Sequence, residues 1–320
     1  MGIKRGIIQS RGLGDILIAL PIARYYYEQG DEIVWPICDD FYGSVKAIDW
    51  ITWVPMKQDP AGAHFMEQPL KIFKYHDVDV NEALYLYHYL NTLPELTDPE
   101  LFNILKFDQY KYQVAGVPFK LKWTLGDIVP RDVAREEALR LRVNPPARYA
   151  VAHLTGSSAK VDVQLINFLD PAVKVINVDD YLTDSIFDWR ALLEGAEAVV
   201  CLDSAMSNMV DQLGIRGPEL YWIRRSPWDL TPVMGLNWTI VPTNLPIVEP
   251  TRVDPAAEAD KKRAQTAPQG TAGGLISHVP FETDKSAFPT SFMSALNGGA
   301  GQKPNKPNAA QDLYKSLGVR

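Results

Sequence analysis

Ser10-Arg11-Gly12-Leu13-Gly14-Asp15 lies between an apolar run, Ile3 to Gln9 (IKRGIIQ), and a largely apolar stretch, Ile16 to Glu28. The first run reads as a strand and the second as a helix, so the six residues between them form a strand-to-helix turn. Two glycines let the backbone turn tightly there and approach a ligand closely. Asp15 falls at the mouth of the helix, where a carboxylate either caps free N–H groups or faces a substrate. A second junction of this kind follows AVVCL (198–202), with Asp203 leading into a helical stretch at Ser204 to Leu213. Two such junctions predict two similar units facing each other.

Outward from the first junction, strand and helix signals alternate. Glu32 to Cys38 (EIVWPIC) predicts a second strand ending in Asp39-Asp40, and Ile51 to Met56 a third, with a short helix around Tyr42 to Ile48 between them. Residues 57 to 75, with Pro60, Gly62 and Pro69, read as irregular. Val78 to Leu84 reads as a strand, followed by an aromatic segment, Tyr85 to Tyr89. The pattern weakens around Pro118 to Arg131, and Val133 to Leu141 makes a charged amphipathic helix before Asn144-Pro145-Pro146 breaks the chain.

A second alternation follows, with strands at Tyr149 to Leu154, Val173 to Val178, Ala198 to Leu202, Glu219 to Ile223 and Trp238 to Val241. Helices are expected at Asp188 to Glu194 and Ser204 to Leu213. Alternation of this sort predicts α/β architecture with parallel sheets covered by helices. The expected organisation is a first domain over 1–143, a second over 148–248, and a tail over 249–320. That tail is rich in Ala, Gly, Pro, Lys and Gln (NGGAGQKPNKPNAAQ, 297–311) and is too poor in apolar residues to offset its chain entropy, so disorder is expected for most of it. Short helices are expected within it at Ala256 to Ala267 and Ser291 to Leu296.

Composition narrows the classes. Hydrophobic residues at 46% and charged residues at 22% are those of a globular protein. A net charge of −7 gives no general attraction for a polyanion, so a nucleic-acid partner is not favoured. Two cysteines, Cys38 and Cys201, are too few for a disulfide framework or a cysteine metal site, and the cytoplasm is the expected compartment. Lys4, Arg5 and Arg11 before the apolar run Ile16 to Ala23 mimic a signal peptide, but Asp15 borders that run and Pro21 interrupts it. No stretch approaches the roughly 20 apolar residues of a membrane span. Gly6 stands where a myristoylation signal needs Ser or Thr.

Several short motifs carry chemistry. The Arg11 to Asp15 loop, with Asp39 or Asp40 ending the next strand, resembles a dinucleotide fingerprint, but Leu17 replaces its third glycine. No Gly-Lys-Ser/Thr follows, which excludes a nucleoside-triphosphate loop. Thr155-Gly156-Ser157-Ser158-Ala159-Lys160 offers hydroxyls, backbone N–H groups and an ammonium, a set that suits a diphosphate or is an ordinary polar loop. Asp203-Ser204-Ala205-Met206-Ser207-Asn208 opens a helix, whose N-terminus either attracts phosphate or is simply capped by Asp203 or Ser204. Arg224-Arg225 after the last strand of the series reaches phosphate or acceptor, or is a solvated pair. His64, His76, His88, His153 and His278 show no metal spacing and read as structural or surface residues. There is no Gly-x-Ser-x-Gly elbow.

The order of these motifs resembles the heptosyltransferase-like glycosyltransferases (glycosyltransferase family 9 type). RGLGDILIALP (11–21) is similar to the family's opening strand, Gly-Asp turn and proline-bearing helix. AVAHLTGSSAK (150–160) resembles its donor-phosphate loop, DWRALLEGAEAVVCLDSAMSNMVDQLG (188–214) its helix-strand-helix signature, and ELYWIRRSPWDLTPV (219–233) its closing strand and turn. The resemblance spans about residues 1 to 245 and implies a GT-B architecture, two Rossmann-like parallel-sheet domains facing across a cleft. It implies an inverting, metal-independent enzyme with a nucleotide-diphosphate sugar as co-substrate and no other cofactor, working in the cytoplasm or at the inner face of the membrane. Asp15 matches the general base, while Gly14, Thr155, Gly156, Ser157, Ser158, Lys160 and the helix start Asp203, Ser204, Ala205, Met206 and Asn208 match donor contacts. Arg11, Arg224 and Arg225 are candidates for acceptor or phosphate contacts. Two positions depart from the pattern: Ala205 replaces a glycine and Asn208 a histidine, and asparagine carries no positive charge.

The implied acceptor is a surface glycan or lipopolysaccharide. The alternatives are a modified nucleic-acid base, as in divergent virus-encoded glycosyltransferases, a non-catalytic nucleotide-binding protein of the same fold, and a nicotinamide-dependent oxidoreductase using the Gly12/Gly14 turn with Asp39 or Asp40.

Overall fold

The structure is a computed structural model that describes residues 2–59, 62–87, 105–156, 169–224 and 232–241. The first half builds β1 (Lys4–Ile8), α1 (Leu13–Glu28), β2 (Glu32–Cys38), α2 (Asp39–Val45) and β3 (Ile51–Met56). It continues with α3 (Glu67–Tyr75), the two-residue β4 (Leu84–Tyr85), α4 (Phe107–Val114), α5 (Leu125–Ile128) and α6 (Val133–Val143). The second half builds β5 (Tyr149–His153), β6 (Lys174–Asn177), α7 (Arg190–Glu194), β7 (Ala198–Leu202), α8 (Ala205–Leu213), β8 (Glu219–Ile223) and β9 (Thr239–Val241).

These strands make two sheets, ordered β3-β2-β1-β4 and β6-β5-β7-β8-β9, and each of their pairings is parallel. The expected α/β class with two parallel sheets is therefore the observed one. The β7 run AVVCL is buried throughout, as a strand covered by helices on both faces must be. One contiguous apolar cluster runs from Ile7 and Ile16 to Val199 and Val210, so the helical layers of the two sheets share a core.

Four local expectations are corrected. Residues 67–75 are helical rather than irregular: Leu70 and Phe73 bury one face, and Pro69 sits in the first turn, where its missing N–H costs nothing. The expected strand at Val78 to Leu84 shortens to Leu84–Tyr85, because Asp79 accepts from the Asn81 N–H and starts a 3-10 turn at Val80–Glu82. The short helix α2 starts at Asp39 and ends at Val45, which puts Asp39 and Asp40, both exposed, in the turn where a helix favours negative charge. In α1 the first helical residue is Leu13, with Gly12 as the cap at φ 82°, so Asp15 lies inside the first turn and does not cap it.

Pro21 does not end α1. Its ring removes the N–H that the Leu17 carbonyl would accept, and that carbonyl takes a replacement from the other half of the chain. The buried Gln212 amide on α8, with its nitrogen turned toward them, donates to Leu17 O at 3.2 Å and to Lys122 O at 3.1 Å.

The last described segment returns to the first half. Asp211 on α8 accepts from the N–H groups of Gly235 and Leu236 and from the indoles of Trp123 and Trp238. Val233 is held by the buried pair Asp108–Lys122, donating to Asp108 Oδ2 at 2.9 Å and accepting from Lys122. Among the described residues no helix is long and apolar enough to cross a membrane.

Candidate functional site

Each sheet has one place where the strand order reverses direction. In the first it lies between β1 and β4, and in the second between β5 and β7. Loops leaving the carboxyl ends of the strands diverge at such points and leave a crevice for a ligand. Both junctions singled out in the sequence lie there: Gln9 to Asp15 follows β1, and Asp203-Ser204 follows β7, beside His153 to Gly156 after β5.

The first loop is held by a dense polar network. Gln9, fully buried, donates through Nε2 to Arg11 O at 2.8 Å, and Trp35 Nε1 donates to Gln9 O at 3.0 Å. The Arg11 N–H donates to the Tyr87 hydroxyl at 2.9 Å, and Ser10 Oγ donates to His64 O at 2.6 Å. Ser10 Oγ and the Tyr87 hydroxyl share a further hydrogen bond of 2.7 Å. Beneath this loop stands Lys111 of α4, 1% exposed, whose ammonium lies 3.0 Å from Asp15 Oδ1. It also donates to Gln9 Oε1 and to Leu86 O, both at 2.6 Å. Burial pushes the Lys111 ammonium below its ordinary value, and the Asp15 carboxylate pushes it back up.

The second loop ends in the start of α8. His153 Nδ1 lies 3.0 Å from Ser204 Oγ, and the Ser204 N–H donates to Ser207 Oγ. Asn208 Nδ2 donates to Ser204 O at 3.0 Å, and Asn208 Oδ1 is buried with no hydrogen-bond partner among the described residues. Burial holds the His153 imidazole below the ordinary histidine value, with Asp179 partly opposing it, so the ring is neutral at pH 7.

The two loops meet. A Cβ placed on Gly14 would stand 3.4 Å from both Ala205 Cα and Asn208 Nδ2, and 3.5 Å from the Ala205 nitrogen. The start of α1 therefore packs on the start of α8, and Asp15 is one residue from that contact. This arrangement can set a carboxylate beside a group of helix-terminal N–H donors, the needs of a proton acceptor and of an anion holder respectively.

The remaining sequence candidates divide. Thr155 and Gly156 are half-buried beside His153 at the end of β5, and Ser204 and Ala205 are half-buried at the helix start. Asp203 is buried, with its N–H donated to Ile223 O. Met206 packs its side chain into the core, so its backbone is what it can offer a ligand. Arg224 is exposed, with its guanidinium 5.9 Å from the Trp222 ring. Arg11 is half-buried in the first loop. Ser157, Ser158, Lys160 and Arg225 lie outside the described residues, as do His88, His278, the tail and its two expected helices.

Lys111, Gln9 and Tyr87 were not found from the sequence. One signal for Lys111 was available: Phe107, Lys111 and Ala115 recur at i, i+4 and i+8, the spacing of a single helix face, and a lysine on such a stripe marks a buried charge.

No family model matches the sequence, and none of the curated proteins does. Among solved structures the chain is similar to the Escherichia coli heptosyltransferase WaaC with ADP, at 13% identity and a TM-score of 0.43, over 82% of this chain and 99% of that one. It is similar to a glycosyl transferase family 9 protein from Veillonella parvula at 10% identity and a TM-score of 0.44, over 83% and 90%. The E. coli ADP-heptose lipopolysaccharide heptosyltransferase II is a third, at 11% identity and a TM-score of 0.43, over 82% and 98%.

Proposed function

We propose that this protein is an inverting glycosyltransferase of GT-B type that moves a sugar from a nucleotide-diphosphate sugar to an acceptor hydroxyl. The observation that supports the reading is the contact of Gly14 with Ala205 and Asn208, which sets side by side two loops that each leave their sheet where its strand order reverses. In this reading Asp15 takes the acceptor proton as the acceptor oxygen attacks the anomeric carbon. The bond from that carbon to the diphosphate breaks, and the nucleoside diphosphate leaves with the electron pair. Negative charge grows on the leaving group, and the N–H groups at the start of α8 meet it together with Thr155, with Ser157, Ser158 and Lys160 proposed as further contacts. Those donors do the work for which other transferases use a metal ion, so the proposed reaction is metal-independent.

In this reading the donor's diphosphate side belongs to the second half of the chain and the acceptor side to the first. The proposed acceptor is a glycan or lipid-linked glycan, met in the cytoplasm or at the inner face of a membrane. A net charge of −7 weighs against a nucleic-acid base as acceptor.

The test is release of a nucleoside diphosphate from a panel of nucleotide sugars by the parent protein and by Asp15→Asn and Asp15→Ala. Loss of a general base predicts a fall of about 100- to 10,000-fold in both variants. Undiminished turnover in both would remove Asp15 from the mechanism. Stabilisation by NAD and by no nucleotide sugar would favour an oxidoreductase, and binding without turnover of any donor a non-catalytic protein.

A further inference from the structure

The Lys111 ammonium has three N–H bonds and, among the described residues, three acceptors from three different segments. They are Gln9 Oε1 beyond β1, Leu86 O beyond β4 and Asp15 Oδ1 on α1. A lysine this deeply buried loses its hydration, so its position is held by those partners rather than by solvent. The first two are neutral and belong to the floor of the β1/β4 crevice, and the third is the side chain of the proposed base. The other carboxylate oxygen, Oδ2, lies over the bare Cα of Gly12, where a Cβ would stand only 2.8 Å away.

We infer that Lys111 is a positioning residue for Asp15: it binds Oδ1, ties the carboxylate to the crevice floor, and leaves Oδ2 as the oxygen that accepts the proton. This rests on the reading of Asp15 as the base. Two consequences follow. The carboxylate is locked in one orientation before any ligand arrives, which lowers the entropy lost in reaching a reactive geometry. The ammonium 3.0 Å from Oδ1 also sets a positive charge against the carboxylate from the side away from Oδ2.

The neighbouring titratable groups do not replace it. Asp108, on the same helix, is bound to Lys122 at 2.7 Å in a fully buried pair. Burial pushes the Tyr87 hydroxyl well up and the Cys38 thiol up to about 11, so both stay neutral at acidic pH. Arg11 lies in the first loop itself, while His153 ends β5 and Asp203 follows β7.

The test uses the full chain without substrate. Aspartate labelled with carbon-13 at Cγ, with the Asp15 signal assigned by Asp15→Asn, reports the carboxylate titration directly. In Lys111→Gln and Lys111→Met the Asp15 midpoint is expected to rise by at least one pH unit, a tenfold change in its proton affinity. The same midpoint in parent and variants would overturn the proposal. Should both variants fail to fold, nitrogen-15 labelling of the lysine ammonium groups in Asp15→Asn gives the reciprocal reading. Lys111 is then expected to lose its proton at lower pH than in the parent, and an unchanged midpoint would overturn the pairing. For whichever nucleotide sugar is turned over, the acidic limb of the rate profile should move up with the Asp15 midpoint in the folded variant. A shifted midpoint in a protein that turns over no donor would uphold the pairing and reject the sugar-transfer reading.

Discussion

His153 is the residue whose environment makes the most direct statement about pH. In the unfolded chain its pKa is near 6.5, and burial lowers it in the fold. Between the two values the unfolded chain holds more protons, so stability rises with pH through that window. The contribution is complete above about 6.5 and is lost as pH falls through the folded value. His64 moves in the same direction, chiefly through its own burial, so the comparison needs a variant. His153→Gln is expected to lose less stability than the parent between pH 7.5 and pH 5, read as the shift in urea midpoint; equal losses would show that His153 is not the group responsible. At this scale the sequence is legible where a residue sits in a motif, as Asp15 and Ser204 do. Lys111 belongs to no motif, and its role comes from three partners in separate segments, the farthest 102 positions away in the chain. His153 read as a structural or surface residue from its lack of metal spacing, and its partner, the cap of α8, came only from the fold.

Among the elements, α1 and α8 show how a local rule is broken and compensated elsewhere. Pro21 strips an N–H from the helix interior, and Gln212 supplies a donor to the buried Leu17 carbonyl across the helix pair. Replacing Gln212 by methionine leaves the Leu17 and Lys122 carbonyls buried and unpaired, at a cost of about 1–3 kcal/mol. With Pro21→Ala in the background, Leu17 regains a partner within its own helix, so the penalty for Gln212→Met should shrink. Urea unfolding of the two single variants and the double variant measures this coupling; strictly additive losses would contradict it. Element type was mostly readable, since β2, β3, β7 and β8 follow the apolar runs end to end. Failures came where side-chain chemistry outweighed the run. Asp79 turned an expected strand into a 3-10 turn, and Leu70 with Phe73 made a helix around a proline.

For the whole molecule, the order of strands decides where function can reside, and no single stretch of sequence contains it. Alternation of strand and helix implied parallel sheets, but only pairing in space shows that both glycine- and serine-bearing loops stand at reversal points. The return of residues 233–238 to the first half was likewise unreadable, since it depends on Asp108, Lys122 and Asp211 from separate helices and turns. Asp211→Ala removes the acceptor of four N–H groups and is expected to cost about 3 kcal/mol or more. Amide exchange at Gly235 and Leu236 should accelerate in that variant, and unchanged exchange would show that Asp211 does not hold the segment. The measurement closest to the central claim is thermal stabilisation by ADP, GDP, UDP and CDP, made on the parent and on Asn208→Asp, which adds a negative charge at the start of α8. The account predicts that at least one of them stabilises the parent in a saturating manner, by about 2.7 kcal/mol at a hundredfold excess over its Kd, and that the variant loses the effect. No stabilisation by any of the four, or equal stabilisation of parent and variant, would contradict it.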